Sequence, residues 1–515
     1  MSSERPTVLT TTNPRTGRVS PLDLEPTSPE FVAAATKRSE QASAALAQRT
    51  RQWRAGMLRA LAASLESRRE LLVSTADEET ALGTARLDSE LSRSVFQLRL
   101  FAEAIEEGGY LEAAIDTAAE TELGPAPDVR RMLVPLGPVA VFGSSNFPFA
   151  FSVPGGDTAS ALAAGCPVVL KAHSSHLHTS VLSYSTLRDA ARAYGAPEGS
   201  LELVLGQDAG SKLVADPRIC AVSFTGSLSG GRALQSIIDA RPRPVPFYGE
   251  LSSVNPLIVT LGAASRRGAE TASGLFASFT GSGGQFCTKP GIVFVPCGAD
   301  GDRLVADLRA LVDSAPSFVL LNRRIHDSFK SISSGLVNQP GVHLEATGKA
   351  ETHADPDGFA VPAMIISINA HELTAEITEE TFGPFIVVAR YHALDEITRA
   401  FEVIPDSLTA TIHSEPSEID AIASLLPVLA RHVGRIVFDG YPTGVRVSWA
   451  QHHGGPWPST NSQHSSVGVT AIRRFMRPIA WQSAPTELLP LELRDGYAAI
   501  PRRIDGRLAP AHGLT

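Results

Sequence analysis

The apolar positions change spacing along the chain, and each spacing predicts a different kind of element. From Pro29 to about Ile105 they recur at helical intervals, with Phe31, Ala35 and Ala42 to Leu46 on one stripe and Trp53, Leu58, Leu61 and Leu65 on the next. This predicts successive amphipathic helices. A more polar segment, Ala113 to Arg131, leads into a short strand around Leu133. From Pro138 the pattern turns to short, wholly apolar runs between turn signals. Val139 to Phe142, Val168 to Leu170, Leu201 to Leu205 and Ile219 to Phe224 read as buried strands, with Thr158 to Ala164 and Ser180 to Tyr194 as helices between them. That alternation predicts an α/β fold with a doubly wound, Rossmann-like parallel sheet. After Glu250 it restarts, with Leu257 to Thr260, Ile292 to Val295, Phe318 to Leu321 and Phe385 to Ala389 as strands of a second α/β domain. Beyond about Tyr441 the pattern dissolves into Gly, Pro, His and Ser.

Composition narrows the partners. A chain of 515 residues that is 43% hydrophobic and 19% charged is globular and long enough for two or three domains. A formal charge of −9 argues against nucleic acid or an anionic membrane as the main partner and leaves small molecules as the expected ligands. Between Arg131 and Lys171 only Asp157 is charged, but five prolines interrupt the stretch and exclude a spanning helix. The segment Met1 to Pro21 carries Glu4, Arg5, Arg15 and Arg18 and lacks the apolar core of a secretory signal. Four cysteines, Cys166, Cys220, Cys287 and Cys297, form no CxxC pair, so the expected location is the reducing cytoplasm.

Several residues stand out chemically. Cys287 follows the glycine-rich run Gly281-Ser282-Gly283-Gly284, which leaves its sulfur approachable, as a thiolate nucleophile requires, although a loop cysteine can also be inert. Glu250 sits beside an apolar strand start, where burial would raise its pKa toward that of a general base; a solvated strand-end acid is the plain alternative. Asn146, in Ser144-Ser145-Asn146-Phe147-Pro148, is either an oxyanion donor or a turn residue. Phe224-Thr225-Gly226-Ser227 precedes a helical pattern whose first turn would be capped by Ser227 and open to a pyrophosphate, though any strand-to-helix junction needs such a turn. Lys171 ends a strand on the expected ligand face. His173, His176 and His178 have spacing that superficially suits a metal, but no acid or cysteine accompanies them, and no metal is expected.

Taken in order, Ser145-Asn146-Phe147-Pro148, Lys171, Phe224-Thr225-Gly226-Ser227, Glu250-Leu251, Gly284-Gln285-Phe286-Cys287 and Glu380-Thr381-Phe382-Gly383-Pro384 resemble the aldehyde dehydrogenase superfamily. The resemblance reaches back to Asn13-Pro14-Arg15-Thr16-Gly17. Ala150 to Thr158, Lys171-Ala172-His173, Gln97 to Phe101 and His453-Gly454-Gly455-Pro456 resemble its 2-oxoglutarate semialdehyde (2,5-dioxopentanoate) dehydrogenase branch, close to NADP-dependent fatty aldehyde dehydrogenases.

The resemblance implies residues 1–120 and 138–250 as an NAD(P)-binding domain, 251–445 as a catalytic domain, and 121–137 with 460–490 as elements of a homodimer or homotetramer. It implies Cys287 as nucleophile, Asn146 as oxyanion donor and Glu250 as the base for hydrolysis. Lys171, Ser174, Gly226, Ser227, Glu380 and Phe382 would meet the cofactor, and Glu379 would be a solvated twin of Glu380. Family members that use NAD often carry an acid three residues after the lysine. Here Ser174 stands in that place, so NADP is expected, with NAD also possible.

For the aldehyde substrate, Phe147, Phe149, Phe151, Phe286 and Trp457 are candidate tunnel residues, and Arg446, His452 and His453 are candidate polar contacts by position. The expected reaction is oxidation of 2,5-dioxopentanoate through a Cys287 thioester, with a medium- or long-chain fatty aldehyde as the alternative. A coenzyme-A-acylating member would have no need of Glu250. A cysteine hydrolase using Cys287 with His452 or His453 would leave the cofactor motifs unexplained, and a non-catalytic scaffold would leave Cys287, Glu250 and Asn146 without purpose.

Overall fold

The computed structural model describes residues 8–349 and 355–511. A hairpin of β1 (Thr10–Thr12) and β2 (Val19–Pro21) precedes four helices, α1 (Pro29–Ala47), α2 (Arg51–Ser67), α3 (Arg69–Thr80) and α4 (Thr84–Glu107). Their starts carry the expected signals: Ser28 caps α1 by accepting from the Phe31 N–H, with Pro29 in the first turn, and Thr50 caps α2. Leu58, Leu61 and Leu65 are buried as the stripe predicts. Phe31 is 45% exposed, because the inward face of α1 is built from Val32, Ala35, Ala42 and Leu46 instead.

Strands β3 (Ala114–Asp116), β4 (Ala119–Thr121), β5 (Gly124–Ala126) and β6 (Val129–Pro135) lead into the first parallel sheet. Its strands are β7 (Val139–Phe142), β8 (Val168–Lys171), β9 (Leu201–Val204), β10 (Ala221–Thr225) and β11 (Phe247–Glu250), in spatial order β11-β10-β7-β8-β9. Helices α5 (Gly156–Ala164), α6 (Leu177–Ala193), α7 (Gln207–Ala215) and α8 (Leu228–Asp239) make the crossovers. The continuous apolar runs follow from burial on both faces. Val139 and Val141 point into one core with the helices α2 to α6, while Ala140 and Phe142 point into a second core with Leu213 and Leu234. Strand order reverses between β7 and β10, which places a ligand crevice at their carboxyl ends.

The second sheet contains β12 (Leu257–Val259), β13 (Ile292–Pro296), β15 (His343–Thr347), β17 (Met364–Asn369), β18 (Phe385–Tyr391), β19 (Ser407–His413) and β20 (Val433–Phe438), in order β15-β17-β18-β13-β12-β19-β20. Only β15 runs antiparallel to its neighbour. Alternation again splits each strand between two cores, with Leu257 and Val259 on one side and Ile258 on the other. Phe318 to Leu321, expected as a strand of this sheet, yields only β14 (Phe318–Val319). It pairs with β16 (Ala360–Val361) outside the sheet, since the chain turns into helix α11 (Arg323–Val337) soon after.

A third sheet, in order β21-β6-β3-β22-β23, joins β21 (Met476–Gln482), β22 (Arg502–Ile504) and β23 (Arg507–Ala509) to β6 and β3. It draws on residues 121–137 and 460–490 and extends to Ala114–Asp116 and the last strands, in the region where the sequence pattern had dissolved.

Candidate active site

Carboxyl ends of the first sheet supply three of the expected side chains. Asn146 follows β7, Lys171 ends β8 and Glu250 ends β11. Cys287 comes from the second domain, on the loop before β13. That loop enters through Ser282, Gly283 and Gly284, all in the left-handed region, and a side chain at Gly284 would lie 2.1 Å from the Gly383 carbonyl oxygen. Gly284 thereby lets the Cys287 loop and the Glu380–Gly383 loop touch. Asn255 fixes the far side of the loop, its Nδ2 donating to the carbonyls of Cys287 (2.8 Å) and Lys289 (3.0 Å).

The reacting groups meet at three corners. His453 Nε2 lies 3.0 Å from Glu250 Oε1 and 3.6 Å from Cys287 Sγ, and all three ligand atoms fall within 4.8 Å of one another. Ser466 Oγ donates to Glu250 Oε2 at 2.6 Å, and Ser465 Oγ accepts from the His453 N–H at 3.0 Å. The loop from Gly454 to Val467 closes over this cluster, with Leu251 N–H donating to the Ser459 carbonyl at 2.8 Å.

Burial pushes the Cys287 thiol well above its ordinary value, and the neighbouring Glu250 charge adds to that shift. Glu250 departs from expectation. Burial does raise its carboxyl, but His453, Ser466 and Cys287 together more than offset this, and it is held below the usual carboxylate value. The resting pair is therefore a protonated thiol beside an ionised carboxylate.

Helix α4 braces the Asn146 loop. Arg86 Nη2 donates to the Asn146 carbonyl at 2.7 Å, and Glu90 Oε1 accepts from the N–H groups of Phe149 (2.7 Å) and Ala150 (2.9 Å). Asn146 Nδ2 donates to the Gln285 carbonyl at 2.9 Å, which carries its amide to the Cys287 loop and leaves its second N–H for an oxyanion. Phe147 packs against Phe151 (ring centroids 5.2 Å) and Phe286 (5.6 Å), and Phe151 faces the His453 ring at 6.2 Å, so these three phenylalanines form one wall beside the thiol.

Other substrate candidates lie elsewhere. Phe149 is fully buried in the core, and Arg446 is exposed. Trp457 is 48% exposed under the Arg232 guanidinium of α8, because the turn at Pro456 directs it to the first domain. His452 packs against Gly434 of β20, and it is His453 that enters the reacting cluster rather than a substrate wall.

Along the crevice, Ser227 caps α8 by accepting from the Gly230 N–H at 3.2 Å, and Gly226 N–H donates to the Glu250 carbonyl at 3.0 Å. A side chain at Gly226 would meet the Phe224 ring at 2.6 Å, so packing alone already demands glycine there. The Lys171 ammonium makes no hydrogen bond to any described residue, and Ser174 is exposed beside it. Burial lowers the His173 pKa, and the neighbouring His176 ring and the Lys171 and Arg324 cations further disfavour its protonation. The histidine cluster is tied up internally: His176 Nε2 bonds the Ser144 carbonyl at 2.7 Å, and His173 Nδ1 accepts from the Ser175 N–H. Glu380 turns inward and accepts from Ser252 Oγ at 2.8 Å, while Glu379 is exposed.

The aldehyde dehydrogenase family matches residues 1–469. The chain belongs to that family. It is 44% identical over 462 residues to alpha-ketoglutaric semialdehyde dehydrogenase 2 of Azospirillum brasilense, covering 88% of this chain and 87% of the relative. It is 39% identical over 504 residues to the alpha-ketoglutaric semialdehyde dehydrogenase of Acinetobacter baylyi, covering 95% of each. Among solved structures, aldehyde dehydrogenase 21 of Physcomitrella patens, in complex with succinate, superposes with a TM-score of 0.79 at 18% identity over 95% of this chain and 97% of that one. Aldehyde dehydrogenase C of Pseudomonas syringae, with NAD+ and octanal, gives 0.79 at 19% identity, covering 94% and 95%. The fold is thus that of an aldehyde dehydrogenase, and the family's cofactor is NAD(P). No helix among the described residues is long and apolar enough to cross a membrane.

Two contributors to this aldehyde dehydrogenase site escaped the sequence reading. Asn255 precedes Pro256, a context in which asparagine also serves as an ordinary turn residue. Lys289 lies two residues past Cys287, buried, and donates to the carbonyls of Thr381 (2.8 Å) and Phe385 (2.9 Å); burial lowers its pKa to about 8. Its rarity among only six lysines was the one available signal.

Proposed function

We propose that this aldehyde dehydrogenase oxidises 2,5-dioxopentanoate to 2-oxoglutarate. The observation that carries the chemistry is the contact of Cys287, Glu250 and His453 within 4.8 Å. Glu250, ionised at rest, takes the thiol proton. Once the carboxyl is neutral, the His453 Nε2–H turns its hydrogen bond from Oε1 to the thiolate 3.6 Å away. The thiolate adds to the aldehyde carbon, and the oxyanion is held by the free Asn146 N–H and the Cys287 backbone N–H. Bound NAD(P) supplies the hydride acceptor that turns this adduct into a thioester. Glu250, its proton released to solvent, then takes a proton from the attacking water. The carboxylate leaves and Cys287 is restored.

The crevice suits such a cofactor. An uncommitted ammonium at Lys171 and the capped start of α8 at Gly226 and Ser227 would take the phosphates, with Glu380 and Phe382 toward the nicotinamide end. NADP is the favoured form, because Lys171 and Arg324 bring positive charge beside His173, where an acid would repel a 2′-phosphate. The choice of 2,5-dioxopentanoate is supported by the two relatives above. The phenylalanine wall on its own would also suit a fatty aldehyde. The four free thiols fit the cytoplasm. The seven-residue edge strand β21 offers an unpaired ladder for a dimer or tetramer, to be sized by light scattering.

The test is the purified protein with 2,5-dioxopentanoate, pentanal and a long-chain aldehyde, each with NAD and NADP, following reduced-cofactor absorbance. Reduction fastest with 2,5-dioxopentanoate and NADP is expected. No reduction with any aldehyde would sink the reading.

A further inference from the structure

Helix α4 presents Arg86, Glu90 and Arg93 at intervals of four and three, on one face, toward the loop that carries Asn146, Phe147 and Phe151. Two of the three are committed. Glu90 accepts from two backbone N–H groups, while Arg86 lies 3.6 Å from Glu90, donates to the Asn146 carbonyl and sits over the rings of Phe147 and Phe286. Arg93 is not. Its guanidinium lies 5.4 Å over the Phe151 ring, its Nε and Nη2 are buried, and neither has a hydrogen-bond partner among the described residues. Arg93 forms no ion pair with a described residue, although Cys287, Glu90 and Glu250 all act on its charge. Phe151, which it covers, packs against the His453 ring at 6.2 Å, so the guanidinium lies beside the reacting cluster.

A buried guanidinium without a counterion is unfavourable, and arginine cannot escape by losing its proton. The fork of N–H donors it leaves open matches a planar carboxylate. Glu250 is already held by His453 and Ser466, and Glu90, whose charge also acts on Arg93, is bound to the Phe149 and Ala150 N–H groups and pairs with Arg86 rather than with Arg93. We propose that Arg93 binds the substrate's own carboxylate, the end remote from the aldehyde, and thereby selects carboxylate-bearing aldehydes over apolar ones at the phenylalanine wall. Of the three positions the sequence suggested as polar substrate contacts, Arg446 lies on the exposed loop, His452 against β20, and His453 is bonded to Glu250.

This inference rests on the proposed 2,5-dioxopentanoate activity, and the experiment separates the two. Wild type, Arg93→Met and Arg93→Lys are compared on 2,5-dioxopentanoate and on pentanal, and each is titrated with glutarate as an inhibitor competing with the aldehyde. The expected result is a loss of about 100-fold in kcat/KM for 2,5-dioxopentanoate in Arg93→Met, carried by KM, with a far smaller loss on pentanal and partial recovery in Arg93→Lys. The glutarate inhibition constant should rise by a similar factor. Equal losses on both aldehydes, or unchanged glutarate inhibition, would overturn the assignment, since an arginine acting only on Cys287 or on folding predicts that pattern. Should wild type show no preference for 2,5-dioxopentanoate while glutarate inhibition still depends on Arg93, the carboxylate site stands and the substrate reading fails.

Discussion

Glu250 and His453, 203 residues apart in sequence, meet at 3.0 Å between Oε1 and Nε2. The same nitrogen lies 3.6 Å from Cys287 Sγ, so in the proposed mechanism one N–H serves two acceptors in turn, the carboxylate at rest and the thiolate once formed. Removing the ring should therefore slow formation of the thioester without abolishing binding. His453→Phe is expected to lower kcat by about 100-fold, the usual range for a group that steers a proton, with cofactor affinity unchanged by fluorescence titration. Wild-type turnover in that variant would remove His453 from the mechanism.

The thiol itself gives a pH-dependent readout. Burial and then Glu250 raise the Cys287 pKa, so at pH 8 the thiolate is a minor form. Glu250→Gln deletes the negative charge but not the burial, which must lower the thiol pKa and increase the thiolate fraction at fixed pH. Alkylation by iodoacetamide at pH 8 should accelerate by about tenfold for each unit the pKa falls, while aldehyde turnover is lost. Slower alkylation in Glu250→Gln would contradict the electrostatic coupling.

Thiolate, imidazole and carboxylate within 4.8 Å are also ligands for a soft divalent ion. Micromolar zinc should inhibit the enzyme, with activity restored by a chelator. His453→Phe, which removes one ligand, should require about tenfold more zinc for half-inhibition when its residual rate is followed. Equal sensitivity would show that zinc acts elsewhere.

Legibility followed how local each signal was. The strands β7, β8 and β13 were readable because they are buried on both faces and bounded by turns, and Asn146, Glu250 and Cys287 stood out as candidates because each breaks its local pattern. β19 (Ser407–His413) went unread, since Ser407, Thr409, Thr411 and His413 make a fully buried strand look amphipathic. His453 was read as a polar substrate contact by position, or with Cys287 as the dyad of a cysteine hydrolase, and not as the partner of Glu250. Nothing in a Gly- and Ser-rich stretch says that the loop folds back over β11, a relation set by long-range contacts such as Leu251 to Ser459. Arg93 was invisible for a similar reason, as helical spacing gives its face but not the absence of a partner.

The proposed preference for NADP should be inverted by a change at one position. Ser174 is exposed and follows Lys171 by three residues, where an acid would meet the ribose hydroxyls of NAD and repel the extra phosphate of NADP. Ser174→Glu should reduce kcat/KM for NADP by roughly 10- to 100-fold and leave that for NAD equal or higher. An unchanged NADP to NAD ratio would place the 2′-phosphate elsewhere in the crevice.

One buried ion pair ties the segment before β21 to the first parallel sheet and its helices. Arg474, only 2% exposed, donates to Asp157 of α5 and to Ser223 of β10, so it ties the segment before β21 to the helix and strand of the first sheet. Arg474→Met removes the cation and leaves Asp157 with Ser223 Oγ as its hydrogen-bond donor. Breaking one side of a buried pair costs about 3–5 kcal/mol, and the partial exposure of Asp157 puts this case near the lower figure. The variant should melt several degrees below wild type. The double variant Asp157→Asn with Arg474→Met should recover part of the loss, because the cost lies in the orphaned charge rather than in the missing bond. A single variant that melts with wild type, or a double variant that melts lower than the single, would show that the contact carries no such load.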